Sequence, residues 1–206
     1  MPFMRRIDSQ ETQHWERFYR ANFFNSLGGY KSANLIGTRS KEGLENLALF
    51  FSVIHVGANP PLLGMLFRPH TVPRHTLENI RETGWFSVNS VQEDWLEKAH
   101  QCSAKYPRNT SEFEAVGLKA VYENDIPVPF VEESALRYAC SFQEEHLISA
   151  NQTIFLVGQV EAIFVLPEML IETGHLNHPL VKTVAINALD RYYRAEEVAQ
   201  LPFAEP

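Results

Sequence analysis

The stretch RPHTVPRHT, Arg68 to Thr76, sets two arginines, two histidines and two threonines immediately before LENIRETG, which reads as a two-turn helix from Leu77 to Thr83 closed by Gly84. Thr76 is the expected N-cap, since a threonine hydroxyl in that place accepts a first-turn N–H. A helix N-terminus offers unpaired N–H groups and the positive end of the helix dipole, an arrangement that suits a phosphate. Arg68 and Arg74 would add charge-assisted hydrogen bonds, and Thr71 and Thr76 hydroxyl donors. Between Pro60 and Leu77 there is no acid, whereas the whole chain of 206 residues carries a net charge of -7. The local charge therefore opposes the global one. A solvated loop with an ordinary cap would show the same residues, and spacing alone leaves both readings open.

A second stretch, ENLALFFS from Glu45 to Ser52, places Asn46, Ala48 and Ser52 where a strand emerges from a loop. Small and amide-bearing residues allow a flat aromatic ligand to approach the backbone and hydrogen-bond in its plane. Taken alone, the stretch is explained more simply by a hairpin strand whose small residues suit its neighbours. His175 and His178 stand three apart, but Pro179 argues for a loop and no carboxylate or cysteine cluster completes a metal shell. Cys102 lies two residues from His100, too close in sequence for a catalytic pair, which usually meets across the fold. There is no GxGxxG, GxxxxGK[ST], GxSxG or HExxH, so the dinucleotide-fold, P-loop, hydrolase and zinc-protease readings lose their usual anchors.

The elements that must position these residues are mostly strands. SANLIGTRS and LALFFSVIHV, separated by the turn-like KEGLEN, predict a hairpin with strands over 32–40 and 47–56. PPLLGMLF predicts a third strand, its double proline at a start where a missing N–H does no harm. WFSVNSV gives a fourth, VPFVEESALRYACSF a long fifth, and TIFLVGQVEAIFVL a sixth that ends before Pro167. Helices are expected over 9–24, with Ser9 as N-cap and Trp15, Phe18 and Tyr19 at helical spacing, and over 93–101. SEFEAVGL predicts a short helix with Ser111 and Glu114 as a capping box and Gly117 as its stop. Regular strand–helix alternation is absent, so a mostly antiparallel barrel with helices outside it fits better than a doubly wound parallel sheet. The last forty residues are mixed in pattern.

Composition bounds the function classes. At 45% hydrophobic and 21% charged, without low-complexity tracts, the chain reads as one globular domain over 1–206. An N-terminal helical extension over 1–28, a core barrel over 30–166 and a C-terminal segment over 167–206 are expected within it. The net negative charge argues against a nucleic-acid or membrane-surface footprint. No apolar run approaches the roughly 20 residues that span a bilayer, the first twenty residues lack the apolar centre of a secretory signal, and a cytoplasmic location is the expectation.

In order and spacing, KSANLIGTRSKEGLENLALFFSVIHVGANPPLLGMLFRP, RHTLENIRETGWFSVN, AHQCSAKYPRNTSEFEAVGL, VPFVEESALRYACSF and IFLVGQVEAIFV resemble the flavin reductase-like, FMN-binding split-barrel proteins. The resemblance covers most of 30–166, and its specific pieces are the double-proline strand, T-x-x-N-I with its trailing glycine, and S-x-E-F-E-x-x-G-L. It implies a mainly β, antiparallel split barrel with flanking helices. It also implies a flavin ring held along Asn46, Leu47, Ala48 and Ser52, largely by backbone groups. The FMN phosphate would be met by Arg68, Arg74, His75 and Thr76, with Asn79 as part of the motif, and Ser103 and Lys105 would approach the flavin or a dimer partner. The implied activity is FMN-dependent oxidoreduction with NADH or NADPH as donor and flavin or another acceptor, in a homodimer, with no obligatory protein acid or base. An electron carrier that takes electrons from a redox partner protein rather than a nicotinamide is the alternative. One departure bears on that choice: the family's C-terminal arginine-glycine-glycine stretch and tyrosine correspond to AINALDRYYRAEE, where Tyr192 or Tyr193 matches the tyrosine but the double glycine is missing.

Overall fold

In the computed structural model residues 4–123 and 125–205 are described; residues 1–3, 124 and 206, which fall in the expected extension, core and C-terminal segment, lie outside them. Alternation decides the layers. In β2 (Asn34–Arg39), Leu35 and Ile36 are neighbours, both fully buried, yet they enter different clusters because successive strand side chains point to opposite faces. Ile36 joins Met65, Phe67, Phe86, Val88 and Leu156 on one side, and Leu35 joins Leu47, Val91, Phe113 and Ile186 on the other. Burying each such side chain contributes about 1.5–3 kcal/mol, so a strand covered on both faces is strongly held.

After the helices α1 (Ser9–Gln13) and α2 (Arg17–Ser26), the strands β1 (Lys31–Ser32), β2, β3 (Glu45–Phe50), β4 (Val53–Ala58) and β5 (Pro61–Phe67) lead to α3 (His75–Thr83) and β6 (Trp85–Ser90). A 3-10 turn then enters α4 (Leu96–Gln101), followed by α5 (Glu112–Val116), β7 (Ala120–Val121), β8 (Phe130–Val131), β9 (Leu136–Ile148), β10 (Thr153–Val165), β11 (Val184–Asn187) and β12 (Arg191–Arg194). Seven antiparallel strands form the main sheet in the order β3-β2-β6-β9-β10-β5-β4. Its two edge strands, β3 and β4, are consecutive in the chain with only Phe51 and Ser52 between them, so the sheet curls until its edges meet. The Ser52 hydroxyl bridges that seam, donating to the Leu66 carbonyl at 3.0 Å and accepting the Leu66 N–H at 3.3 Å. The result is the expected antiparallel split barrel with helices packed outside. No described helix is long and apolar enough to cross a membrane.

Several expected boundaries shift, each for a physical reason. The strand over 47–56 is two strands, because the chain must leave β2 and join β5 at the seam. The helix over 9–24 breaks at His14–Glu16, where the Glu16 carboxylate accepts the N–H groups of Phe18 at 2.7 Å and Tyr19 at 2.9 Å and starts a new helix. Ser9 is inside α1, and Asp8 holds its N-cap position. Helix α3 begins two residues before the expected start, with Arg74 at the N-cap position and Thr76 buried inside the first turn. Gly84, at φ 77, ends it as expected, in the left-handed region that glycine enters without strain. The Ser111–Glu114 capping box does not form: Ser111 holds the N-cap place, but its Oγ is buried without a hydrogen-bond partner among the described residues. The long fifth strand is β8 and β9, interrupted by a turn in which Ser134 donates to the carbonyls of Ser90 and Leu136. The C-terminal residues make a three-stranded sheet, β1-β11-β12, whose Val184 and Ile186 complete the outer core cluster.

Candidate functional site

The seam between β3 and β5 opens into a cleft of about 840 Å³. One wall is the β3–β4 corner, with Asn46, Ala48, Phe50, Phe51 and Ser52. A second is the end of β5 and the segment that follows, with Arg68, Arg74, His75 and Thr76. The third is the segment after α4, with Ser103, Lys105, Tyr106 and Arg108, and the floor adds Cys102 and Glu112. Phe50 and Phe67 meet edge to face at 5.0 Å between centroids, so the barrel side of the cleft is aromatic and rigid.

Nine of the eleven residues expected at the site line this cleft: Asn46, Ala48, Ser52, Arg68, Arg74, His75, Thr76, Ser103 and Lys105. Leu47 and Asn79 do not. Leu47 points into the core because strand side chains alternate, and its backbone N–H donates to Glu112 Oε2 at 2.9 Å, which takes that group from any ligand. Asn79 is turned inward and holds the site together instead. Its Nδ2 donates to Thr38 Oγ1 at 3.1 Å, and its Oδ1 accepts from Arg108 at 3.1 Å. Asn46 completes the network, donating to Thr76 Oγ1 at 3.0 Å and Thr38 Oγ1 at 3.3 Å. Thr76 thus fixes β3 to the helix rather than capping the helix. Buried side chains joined in this way give a cleft wall little freedom to repack.

The end of the cleft at the start of α3 is built around Glu78. Its Oε1 accepts the Arg74 backbone N–H and pairs with His70, both at 3.0 Å, and its Oε2 accepts from Arg108 at 2.9 Å. One carboxylate therefore ties the chain before α3, the helix itself and the loop after α4. Burial pushes Glu78 up, but the Arg74 amide, His70 and Arg108 together hold it below the usual carboxylate range. Arg74 is different: its Nε is buried and has no hydrogen-bond partner among the described residues, and its Nη2 reaches only the Pro69 carbonyl at 3.4 Å. A buried guanidinium donor left without an acceptor at a helix N-terminus is the pattern an anion completes. Arg68, Lys105, His75 and Arg108 stand on the same walls, and among the described residues Glu112 is the one acidic residue lining the cleft.

Arg108 and Glu112 were not among the expected residues, nor were Phe50, Phe51, Tyr106 and Leu189. A third arginine within a mixed loop could have been suspected from its charge; nothing local distinguishes Glu112 from Glu114. Burial pushes Glu112 up, against the Leu47 N–H that stabilises its carboxylate. Burial also pushes the Cys102 thiol up to about 12, so Cys102 remains a thiol and no nucleophile. His175 and His178 are engaged by the hydroxyls of Thr173 and Thr183 respectively.

The flavin reductase like domain matches residues 28–181 of the chain. A candidate flavin reductase with a split barrel domain from Shewanella frigidimarina NCIMB 400 is 43% identical, with a TM-score of 0.94 over 98% of this chain and 100% of that one. The nitrilotriacetate monooxygenase component B of Bacillus cereus superposes with a TM-score of 0.84 at 22% identity, over 98% of this chain and 100% of its own. The 2-nitrobenzoate 2-nitroreductase of Pseudomonas fluorescens gives 0.82 at 22%, over 98% of both chains. The last two likenesses are likenesses of fold.

Proposed function

Because the chain belongs to the flavin reductase-like family, we propose that its cleft is a non-covalent FMN site and that the protein is an FMN-dependent oxidoreductase drawing electrons from NADH or NADPH. The observation that carries this reading is the unpartnered, buried Arg74 Nε at the N-terminus of α3, on the wall of a cleft large enough for a tricyclic ring. Bound flavin supplies the redox chemistry, accepting a hydride and passing electrons on singly or in pairs.

The chain's own part is binding and positioning. Arg74 and the first-turn N–H groups of α3 meet the phosphate, with Arg68 adding charge at the mouth. Ala48 and Ser52 let the ring lie against the backbone of the β3–β4 corner, while Phe50, Phe51 and Phe67 keep water from its edge. Ser103 and Lys105 face it from the opposite wall. The same reading makes the protein a homodimer. Phe18 and Tyr19 on α2 are 70% and 61% exposed, more aromatic surface than a solvated helix needs.

A second reading is an electron carrier served by a redox protein. One observation favours it: the turn between β11 and β12, in the region corresponding to the family's double glycine, carries Leu189 into the cleft wall. An isobutyl group there narrows the space left for a nicotinamide. The test is an absorbance spectrum of the purified protein, then anaerobic NADH and NADPH. A yellow protein bleached by either nucleotide supports the reductase; one that stays oxidised supports the carrier; one that neither carries nor binds FMN overturns both.

A further inference from the structure

Glu112 is 6% exposed, lines the cleft, and has no cation within salt-bridge distance among the described residues. Its one side-chain hydrogen bond in the described structure joins Oε2 to the Leu47 N–H at 2.9 Å, across 65 residues of sequence. The other carboxyl oxygen has no side-chain or backbone partner among the described hydrogen bonds, on a residue that lines the cleft. A buried carboxylate without a counter-ion is costly, and such a group neutralises by taking up a proton. Two events on ligand binding push the same way. An aromatic ring filling the cleft removes the water that solvates the carboxylate, and a phosphate brings negative charge into the same cavity.

The surrounding charges set the scale of the effect. His75, at the start of α3, lies near enough for its charge to act on Glu112, and Arg74, Lys105 and Arg108 line the same cleft. From α4, Cys102 is neutral, and Lys98 is turned away to donate to the Gly117 carbonyl at 2.7 Å. From β3, the Glu45 carboxylate is occupied by the Tyr122 hydroxyl at 2.7 Å. On α5 itself, Glu114 is exposed to solvent. Arg108 is committed to Glu78 and Asn79, and Arg74 stands at the start of α3, where a bound phosphate would offset their charge.

We propose that Glu112 takes up one solvent proton when a flavin fills the cleft and, as a neutral acid, donates a hydrogen bond to an acceptor on the bound flavin. This rests on the FMN reading and names a positioning residue within that site. Leu47 keeps its acceptor in either state, so the carboxyl stays aimed while its proton comes and goes.

The test uses riboflavin as probe, because the FMN phosphate has a second ionisation near pH 6 that would add its own slope. Fluorescence titrations of the wild type should show riboflavin binding that weakens by about tenfold or more from pH 5 to pH 8, tenfold for each unit by which binding raises the carboxyl. Glu112→Gln keeps an acceptor for Leu47 but cannot titrate. Its affinity should stay within about twofold over that range, near the wild type's low-pH value. Calorimetry on the wild type in buffers of different ionisation enthalpy needs no variant, and should show proton uptake on binding at neutral pH. A slope shared by wild type and Glu112→Gln, a flat wild-type profile, or no proton uptake would each overturn the proposal while leaving FMN binding intact. A wild type that fails to bind FMN at any pH overturns the FMN reading and this proposal together.

Discussion

Replacing Arg74 with alanine should separate FMN from riboflavin. In the described structure Arg74 Nε makes no hydrogen bond, and Nη2 makes only a long one to Pro69. Nothing in the protein therefore depends strongly on the guanidinium, and its removal takes away a buried donor that lacks a partner. The melting temperature of the flavin-free protein should stay within about 2 °C. FMN, in contrast, would lose one or two charge-assisted bonds, each contributing about 1.5–3 kcal/mol. The first-turn N–H groups of α3 remain, so the expected loss is about 2–3 kcal/mol, or roughly 30- to 150-fold in Kd. Riboflavin has no phosphate and should lose less than about twofold. Arg68 is exposed and should show a smaller, salt-sensitive effect, so Arg68→Ala combined with Arg74→Ala should deepen the FMN loss mainly at low ionic strength. The assay is quenching of flavin fluorescence at fixed salt, run with both ligands. Equal losses for FMN and riboflavin would refute the placement of the phosphate at α3.

The remaining predictions concern what holds the cleft in shape. Thr38→Val removes the acceptor shared by Asn46 and Asn79 at a fully buried position, and should cost about 1–3 kcal/mol, seen as several degrees in thermal unfolding. Gly37→Ala would place a methyl against the Pro129 carbonyl oxygen and 2.5 Å from Ser87 Oγ, where backbone cannot yield. It should lose about 1–3 kcal/mol by denaturant titration, whereas Gly28→Ala, which meets only the flexible end of Lys31, should be close to neutral. Glu78 is held below its ordinary value of 4.5, so its contribution to stability is present above that pH and is lost as the pH falls through its folded-state value. Glu78→Gln should therefore be destabilised at pH 7 and converge with the wild type near pH 3 in pH-dependent urea unfolding.

The legible part of the site was the part encoded locally. A helix start announces itself through short-range signals, so the basic run from Arg68 to Thr76 could be tied to α3 without knowing the fold, even though the N-cap proved to be Arg74. The barrel was readable because hairpin turns and strand-rich segments are local too, but its seam at Phe51–Ser52 was not. Whether an apolar run is one strand or two depends on which strands it must join, and β2 and β5 lie towards opposite ends of the sheet, each one strand in from its edge. The three-stranded C-terminal sheet escaped for the same reason, since β11 is paired with β1 at the other end of the chain.

Glu112 shows where sequence reading stops for a binding site. It stands in a short helix two residues before Glu114, with the same local propensities, and the two side chains meet opposite environments. Glu114 is solvated, while Glu112 is fixed to Leu47 beneath the cleft. Thr76 makes the same point from the other direction. Its sequence context marks it as a helix cap, yet the buried amide of Asn46 lies at 3.0 Å and engages its hydroxyl. In both cases a contact made across the fold sets the role: a residue typed for one local job is recruited by a buried partner that would otherwise be unsatisfied. Burial raises the energetic weight of such partners well above that of a surface cap. The polar groups beneath a cleft are therefore where a sequence says least and a structure says most. In this chain those groups join β2, β3, α3 and the loop after α4 through Thr38, Asn46, Thr76, Asn79 and Arg108, so the walls of the cleft share one buried hydrogen-bond network.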